Sequence, residues 1–281
     1  MFPEKIFFPV KSGFCLRLKG SDALQIANNL ATNDLPKLQD GACCETFITN
    51  VKGWVVAHGI IRKSQDLIEL WGMHPDPQSI ADHVDRYVIR EDVAIELDSD
   101  NALFALCGPS EELAVGEGYE KVEYAAFGGD SFVWRTGDNG GSEPIRDQAW
   151  RAADETTAEV LRIRSGWPIQ QTDFFEKTIP QELDRTEEAI SFTKGCYLGQ
   201  ETIARLDALG KLQKKLCVLE MEGAVETNSA IMLEDQEVGR VSSATKLEGN
   251  NFALAILKRI AFETPKPLSC GELAVSIIAK K

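Results

Sequence analysis

Thr193 to Leu206 read TKGCYLGQETIARL, a lone thiol between two glycines just ahead of a helix-like run. Gly195 and Gly199 permit backbone angles that residues with a Cβ resist, so a sharp turn is expected around Cys196. From Gln200 to Leu209, Ile203, Leu206 and Leu209 recur at helical spacing as a buried stripe. Glu201 suits the first-turn dipole, and Gly210 is the stop. Cys196 then precedes the helix N-terminus by a few residues, near Lys194. A positive helix end and an ammonium both favour thiolate over thiol, which raises reactivity. Burial as a small hydrophobe explains a lone cysteine equally well. Spacing alone leaves both readings open.

Outward from this loop, the two halves of the chain differ in pattern. After residue 210 come short apolar runs separated by turns: KLCVLEM, AIMLED, EVGRVSSA, FALAILK and ELAVSII. Regular short strands without helices predict a small barrel or sandwich. The domain boundary falls near 208 to 212, separating residues 1–209 from 210–281. Before it, strands and helices mix, an α+β pattern. FCLRLKG reads as a strand, and Ser21 is placed to cap a helix over DALQIANNLATNDL with Leu24, Ala27, Leu30 and Ala31 on one stripe. CCETFITNVKGWVVAHGIIRK reads as a hairpin turning at Asn50-Val51-Lys52-Gly53, and DLIELWGM as a further strand. DPQSIADHVDRYVI is a second helix burying Ile80, Val84, Tyr87 and Val88. VAIEL, ALFALCG and SFVWRT are strands, and GDNGGSEPIRD a glycine-rich turn. The helix in ADETTAEVLRIRSG ends at Gly166, and Pro168 prevents its resumption. Gln170 to Phe192 shows little regularity, and so long an irregular stretch inside a compact domain is often functional.

Composition excludes several classes. A chain of 281 residues with 43% hydrophobic content supports a real core. Its net charge of −14 repels phosphate backbones and disfavours extended nucleic-acid binding. Arg205, Lys211, Lys214 and Lys215 form a local basic cluster, either a solvated face or an anion-attracting rim. The seven cysteines are scattered without CxxC spacing, unlike a disulfide framework or zinc ribbon. Cys107 and Cys217 fall inside apolar strand-like runs and read as packing residues. An intrinsic iron–sulfur cluster would need distant thiols to converge. The three histidines, His58, His74 and His83, lack helical ligand spacing, so a histidine-held metal is disfavoured. No serine-hydrolase elbow, Walker loop or dinucleotide loop is present. The opening MFPEKIFFPVKSGFCLRL lacks the pattern of a secretory leader, and no run approaches the roughly 18 apolar residues of a membrane span. A cytoplasmic protein without a membrane partner is expected. Trp54, Trp71, Trp134, Trp150 and Trp167 are candidates to stack on a flat ligand, with core packing as the ordinary role of each.

The stretch from Leu161 to Leu216, LRIRSGWPIQQTDFFEKTIPQELDRTEEAISFTKGCYLGQETIARLDALGKLQKKL, closely resembles the YgfZ family of folate-binding proteins. That family is related to the glycine-cleavage T-protein and is tied to iron–sulfur cluster assembly or repair. Its most specific mark, K-G-C-Y-x-G-Q-E, stands complete from Lys194 to Glu201. Gly166-x-Pro168, the I-P-Q of Ile179 to Gln181, and Arg205 also match. LKGSDALQIANNLATND and VGRVSSATKLEGNNFALAILKR extend the similarity through nearly the whole chain. The resemblance implies an α+β fold: a T-protein-like ring of two N-terminal subdomains plus a C-terminal β-barrel, with a folate-binding channel. It implies that Cys196 is the functional thiol, with Lys194 and Glu201 beside it. Folate contacts would come from Asn50, Lys52, Trp54, Arg164, Trp167, Tyr197, Gln200 and Arg205. The implied cofactor is tetrahydrofolate or another folate, with no tightly held metal. The implied partners are iron–sulfur client enzymes or assembly proteins.

Two departures bear on activity. T-protein methyltransferases carry an acidic pair after a Gly-Gly turn, whereas KGWVVAHG places Ala57 and His58 there. Alanine cannot act as a base, which argues against aminomethyl transfer. His58 is expected to face solvent or a polar neighbour, with a proton-transfer role as the alternative. Arg164 stands where T-proteins have a glutamate that accepts from the pterin amino edge, and arginine only donates. The expectation is a folate-binding accessory protein for iron–sulfur clusters. Its rivals are a tetrahydrofolate-dependent aminomethyl or methyl transferase and a scaffold without a small ligand.

Overall fold

Strands that are apolar on both faces govern the N-terminal architecture. The computed structural model describes residues 5–99, 103–110, 113–135, 144–210, 212–247 and 250–280. Its first ten strands are β1 (Ile6–Pro9), β2 (Gly13–Lys19), β3 (Cys43–Thr49), β4 (Val55–Ser64), β5 (Leu67–Met73), β6 (Ala94–Asp98), β7 (Leu103–Cys107), β8 (Tyr119–Val122), β9 (Ser131–Arg135) and β10 (Arg151–Ala152). They form two five-stranded sheets, ordered β3-β4-β5-β2-β6 and β10-β1-β7-β9-β8. Successive side chains on a strand point to opposite faces. Phe14, Leu16 and Leu18 of β2, Ala57 and Ile61 of β4, and Ile68 and Leu70 of β5 pack under two helices, α1 (Ala23–Leu30) and α2 (Gln78–Asp85). The alternate residues Cys15, Ile60, Trp71 and Met73 meet Phe8, Leu103, Phe132 and Trp134 of the second sheet. Both faces of the first sheet are therefore buried.

Both early helices are shorter than the periodicity predicts. Ser21 does not cap α1; its backbone N–H and hydroxyl bond the Asp92 carboxylate instead, and Asp22 stands at the N-cap. The helix stops at Leu30 because Ala31 is extended and bridges Ile48. Tyr87 and Val88 follow α2 and are only half-buried. The turn read in GDNGGSEPIRD lies outside the described residues as far as residue 143, as does Lys211. Among the described residues no helix is long and apolar enough to cross a membrane.

α3 (Glu155–Arg164) is wedged between the two halves of the molecule. Ala158 and Leu161 face the sheet interface, while Val160 and Ile163 face strands of the C-terminal barrel. Asp154 caps the helix by accepting from Thr157 N–H at 2.7 Å, and Gly166 at φ +65° ends it as expected. Two short helices follow, α4 (Thr186–Ala189) and α5 (Gln200–Leu209). Strands β11 (Lys214–Glu222), β12 (Ala230–Leu233), β13 (Gln236–Leu247), β14 (Asn250–Lys258), β15 (Leu268–Cys270) and β16 (Leu273–Ile278) close a barrel in the order β11-β14-β13-β12-β15-β16, with α6 (Arg259–Glu263) between β14 and β15.

One buried carboxylate fastens barrel, helix and loop together. Asp173 accepts from Ser242 and Ser243 of β13 at 2.7 and 2.6 Å, beside the β-bulge in that strand. Its other oxygen accepts from Arg162 of α3 at 2.7 Å and from Ile169 N–H at 3.0 Å. Arg162 is itself held by Glu159 and by the Trp167 carbonyl. Removing one partner of a buried ion pair strands the other charge. Asp173→Ala is therefore expected to lower unfolding free energy by about 3–5 kcal/mol in urea titrations. Ser242→Ala, which removes one neutral donor, lowers it by about 1 kcal/mol.

Candidate functional site

The loop carrying Cys196 is anchored on both sides of the thiol. Upstream, Lys194 donates to the carbonyls of Asn28, Ala31 and Asn33 at 2.7, 2.7 and 2.8 Å, tying the loop to the end of α1. Downstream, Leu198 N–H bonds the Asn29 carbonyl at 2.8 Å, and Thr49 Oγ1 donates to the Leu198 carbonyl at 2.6 Å. Gly199, at φ +79°, lies against the β3–β4 hairpin tip; a Cβ there would meet Asn50 O at 2.4 Å and Gly53 Cα at 2.5 Å. Gly53 at φ +75° is confined in turn, with the Gly199 carbonyl 2.9 Å from its own Cβ position. Between these anchors Cys196 is exposed and Gly195 borders open space.

Each expected site residue has a definite place. All three protons of the Lys194 ammonium go to backbone carbonyls, so it is a positioning residue rather than the partner of a thiolate. Burial pushes its pKa down to about 8, against the nearby charges of Asp34 and Cys44. Tyr197 is buried in a cluster with Phe47, Val55, Phe174, Leu183 and Ile203. Asn50 accepts from Lys52 and Trp54 N–H at 2.9 and 3.1 Å, which shapes the hairpin tip. Lys52 lies over the half-buried Trp54, 4.6 Å from its ring centre. Gln200 is half-buried, and Glu201 and Arg205 are exposed on α5. The expected apolar stripe of α5 reduces to Ile203, because Leu206 is half-buried and Leu209 is 62% exposed. Of the basic cluster, Lys214 pairs with Glu182 at 3.4 Å and Lys215 with Asp184 at 3.3 Å.

Arg164 and Trp167 occupy a second group at the end of α3. The Arg164 guanidinium lies 5.1 Å from the Phe252 ring, with its Nε buried and unpartnered. Trp167 is only 1% exposed, packed 4.3 Å from His58, 4.6 Å from Phe127 and 5.0 Å from Arg185. His58 also stacks on Phe47 at 4.9 Å, so Phe47 and His58 bridge the Tyr197 cluster and the α3 terminus.

Of the two settings expected for His58, solvent or a polar neighbour, the structure shows the polar neighbour. The imidazole is buried, with Nε2 donating to Glu45 at 2.8 Å and Nδ1 unpartnered. Glu45 also takes two bonds from Arg185, through Nε and through Nη2 at 2.6 Å, while Arg185 Nη1 reaches the Ser165 carbonyl at 3.0 Å. Burial alone would raise Glu45, but the bonds from Arg185 and His58 outweigh it and hold the carboxyl down at about 2. Burial lowers His58 despite Glu45 beside it, so the ring is neutral at pH 7. The set is thus a carboxylate, a guanidinium and an imidazole whose free nitrogen can accept a proton or a hydrogen bond. Ala57 points the other way, into the α1–α2 core at 1% exposure. Glu45 and Arg185 were absent from the sequence expectations. The hairpin register carried a signal for the first: Phe47 pairs with His58, so Glu45, two residues away, shares that face.

Beside α3, a cavity of about 500 Å³ is lined by Phe8, Met73, Phe127, Arg162 and Ile169 among others, and by none of the expected folate contacts.

No protein-family model matches the sequence. The chain is 27% identical over 308 aligned residues to a chloroplastic Arabidopsis thaliana protein whose name assigns it provisionally to the transferases, covering 94% of this chain and 68% of that protein. It is 28% identical over 160 residues to the tRNA-modifying protein YgfZ of Colwellia psychrerythraea, covering 51% of this chain and about half, 49%, of the relative. Its fold matches the glycine cleavage system aminomethyltransferase T of Bartonella henselae with a TM-score of 0.79 at 14% identity, over 98% of this chain and 85% of the other.

Two predictions follow from this geometry. Cys196 is the one exposed cysteine, whereas burial pushes Cys43, Cys44, Cys107 and Cys217 up to about 12 and raises Cys15 and Cys270. Brief alkylation of native protein followed by peptide mass mapping should modify Cys196 alone, and Cys196→Ser should remove the fast phase. The second concerns acid. The folded pKa of Glu45 lies below the unfolded one, so its contribution is complete above the ordinary carboxylate range and fades as pH falls towards about 2. Glu45→Gln should flatten that acid limb in stability-versus-pH curves, and at pH 7 it should lower stability by about 3–5 kcal/mol because Arg185 is left unpaired.

Proposed function

We infer that this chain, a YgfZ-like protein of the T-protein fold, is a folate-binding accessory factor that assembles or repairs iron–sulfur clusters in client enzymes. Cys196 is its working thiol. The observation that carries this reading is a rigidly presented, exposed thiol in a chain that lacks the methyltransferase acid. Where that acid would stand, Ala57 faces the apolar core and His58 is engaged with Glu45.

The residues at the end of α3 suit a folate. Arg164 Nε and Trp167 Nε1 are buried donors without a partner, and Nδ1 of His58, packed on Trp167, is likewise unpartnered. Such atoms favour a ligand with mixed polar edges, since each is costly to leave unmade. Arg164 only donates, so it fits a carbonyl or carboxylate of the folate rather than its amino edge. A reduced folate, when bound, supplies a carrier for one-carbon units. This chain's own residues orient it: Arg164 and Trp167 donate, and Tyr197 and Phe47 back the site with apolar surface.

The competing reading is a tetrahydrofolate-dependent aminomethyl or methyl transferase, favoured by one feature: the neutral His58 held by Glu45 resembles a general base. Against it stand the burial of His58 at 4% exposure and the missing acid. The tRNA-modifying name of two relatives fits action through a protein client, because a net charge of −14 opposes a direct grip on RNA.

In cells lacking the endogenous factor, wild-type protein should restore iron–sulfur enzyme activity and Cys196→Ser should leave it at the level of the deletion. Calorimetry should show both proteins binding tetrahydrofolate with Kd values within about threefold of each other. Full rescue by Cys196→Ser would sink the thiol's role, and turnover of an aminomethyl donor by pure protein would favour the transferase.

A further inference from the structure

The hairpin tip, which touches the cysteine loop at Gly199, carries a reversal of charge. Lys52 and Lys177 both lie over Trp54, 4.6 and 5.8 Å from its ring centre. Among the described residues, neither lysine has a carboxylate within ion-pair distance. The chain around them has 44 acidic and 30 basic residues, so an unpaired cation pair on one indole is a local exception. Lys177 has a left-handed backbone, φ +69°, a conformation that disfavours any residue with a Cβ. Exposed apolar side chains stand close to each lysine in sequence: Val51 is 67% exposed and Phe175 60% exposed. Three segments join here. Val55 N–H bonds the Thr178 carbonyl at 2.9 Å, linking the hairpin to the turn from Phe175 to Thr178. The contact of Gly53 with Gly199 links it to the cysteine loop.

We propose that this surface docks an acidic segment of a partner protein that also carries apolar side chains. Carboxylates of the segment meet Lys52 and Lys177, its apolar groups cover Val51, Phe175 and the open part of Trp54, and the partner is brought beside Cys196. The proposal rests on the accessory-factor reading and names the face through which a client is engaged. Exposed apolar groups beside unpaired cations are the composition of an interface core with its steering charge. Nucleic acid offers phosphates to the lysines but is repelled by the rest of this surface. The glutamate tail of a folate has carboxylates but nothing to cover Val51 and Phe175.

The test uses the full chain and a short fluorescein-labelled peptide of Asp and Glu with one Phe and one Leu, read by anisotropy. Saturable binding that weakens with salt is expected. Lys52→Glu and Lys177→Glu should each weaken it about tenfold or more, with thermal melting unchanged. A peptide with lysines in place of the acids should not bind. Absence of saturable binding, or equal binding by the charge-reversed variants, overturns the proposal. Competition by polyglutamylated folate overturns it by assigning the lysines to the cofactor tail. Self-association in sedimentation that Lys52→Glu abolishes overturns it by making a second copy the occupant. The direct peptide titration, without the competitor, contains neither folate nor an iron–sulfur enzyme, so failure of folate binding or full rescue by Cys196→Ser leaves its result unchanged and is told apart from it.

Discussion

Two glycines that cannot carry side chains hold the site together. Gly53 at the hairpin tip and Gly199 before α5 approach so closely that a Cβ on Gly199 would lie inside the neighbouring backbone, and both need left-handed angles. That contact fixes where β3 and β4 end relative to α5. The thiol, the Trp54 stack and the anchored loop all take their positions from it. Lys194 and Thr49 then close the arrangement with bonds to α1 and to the Leu198 carbonyl. Cys196 is exposed because both of its flanks are tied down.

The missing acid has a geometric meaning. Along β4, residues alternate between the α1–α2 core and the interior face shared with Phe47 and Trp167. Ala57 lies on the first and His58 on the second. A carboxylate at 57 in this chain would enter an apolar core, whereas the charge that matters is supplied from β3 by Glu45. Arg185 and His58 compensate that buried charge, and Arg185 also closes on the α3 terminus. Removing any one member would leave a buried group unmatched. The trio therefore ties β3, β4, α3 and the irregular segment after it to a single arrangement.

Local signals were legible and distant ones were not. The bounds of α5, the stop at Gly166, the hairpin turn at Asn50–Gly53 and the strand-rich C-terminal part all follow from residues near one another in sequence. Leu209 was misplaced because periodicity identifies a stripe but not what covers it, and the described residues leave Leu209 62% exposed. Ser21 looked like a cap, yet Asp92, some seventy positions on, takes its hydroxyl. Lys194 was read with its sequence neighbour Cys196, whereas its partners are carbonyls from 161 to 166 positions away. Periodicity also missed Arg185, which lies in a segment with no regular period. The motif resemblance supplied the fold where these local rules ran out.

The remote partners of Lys194 also bear on how the chain folds. The loop's anchors lie on α1, on β3 and on the hairpin tip, so contacts that define it close long stretches of backbone and form late. Until the N-terminal sheet and α5 have both assembled, nothing holds the loop in its final shape. A nascent or truncated chain would therefore contain the cysteine without displaying it. The conformation that exposes the thiol is reserved for molecules that have finished folding.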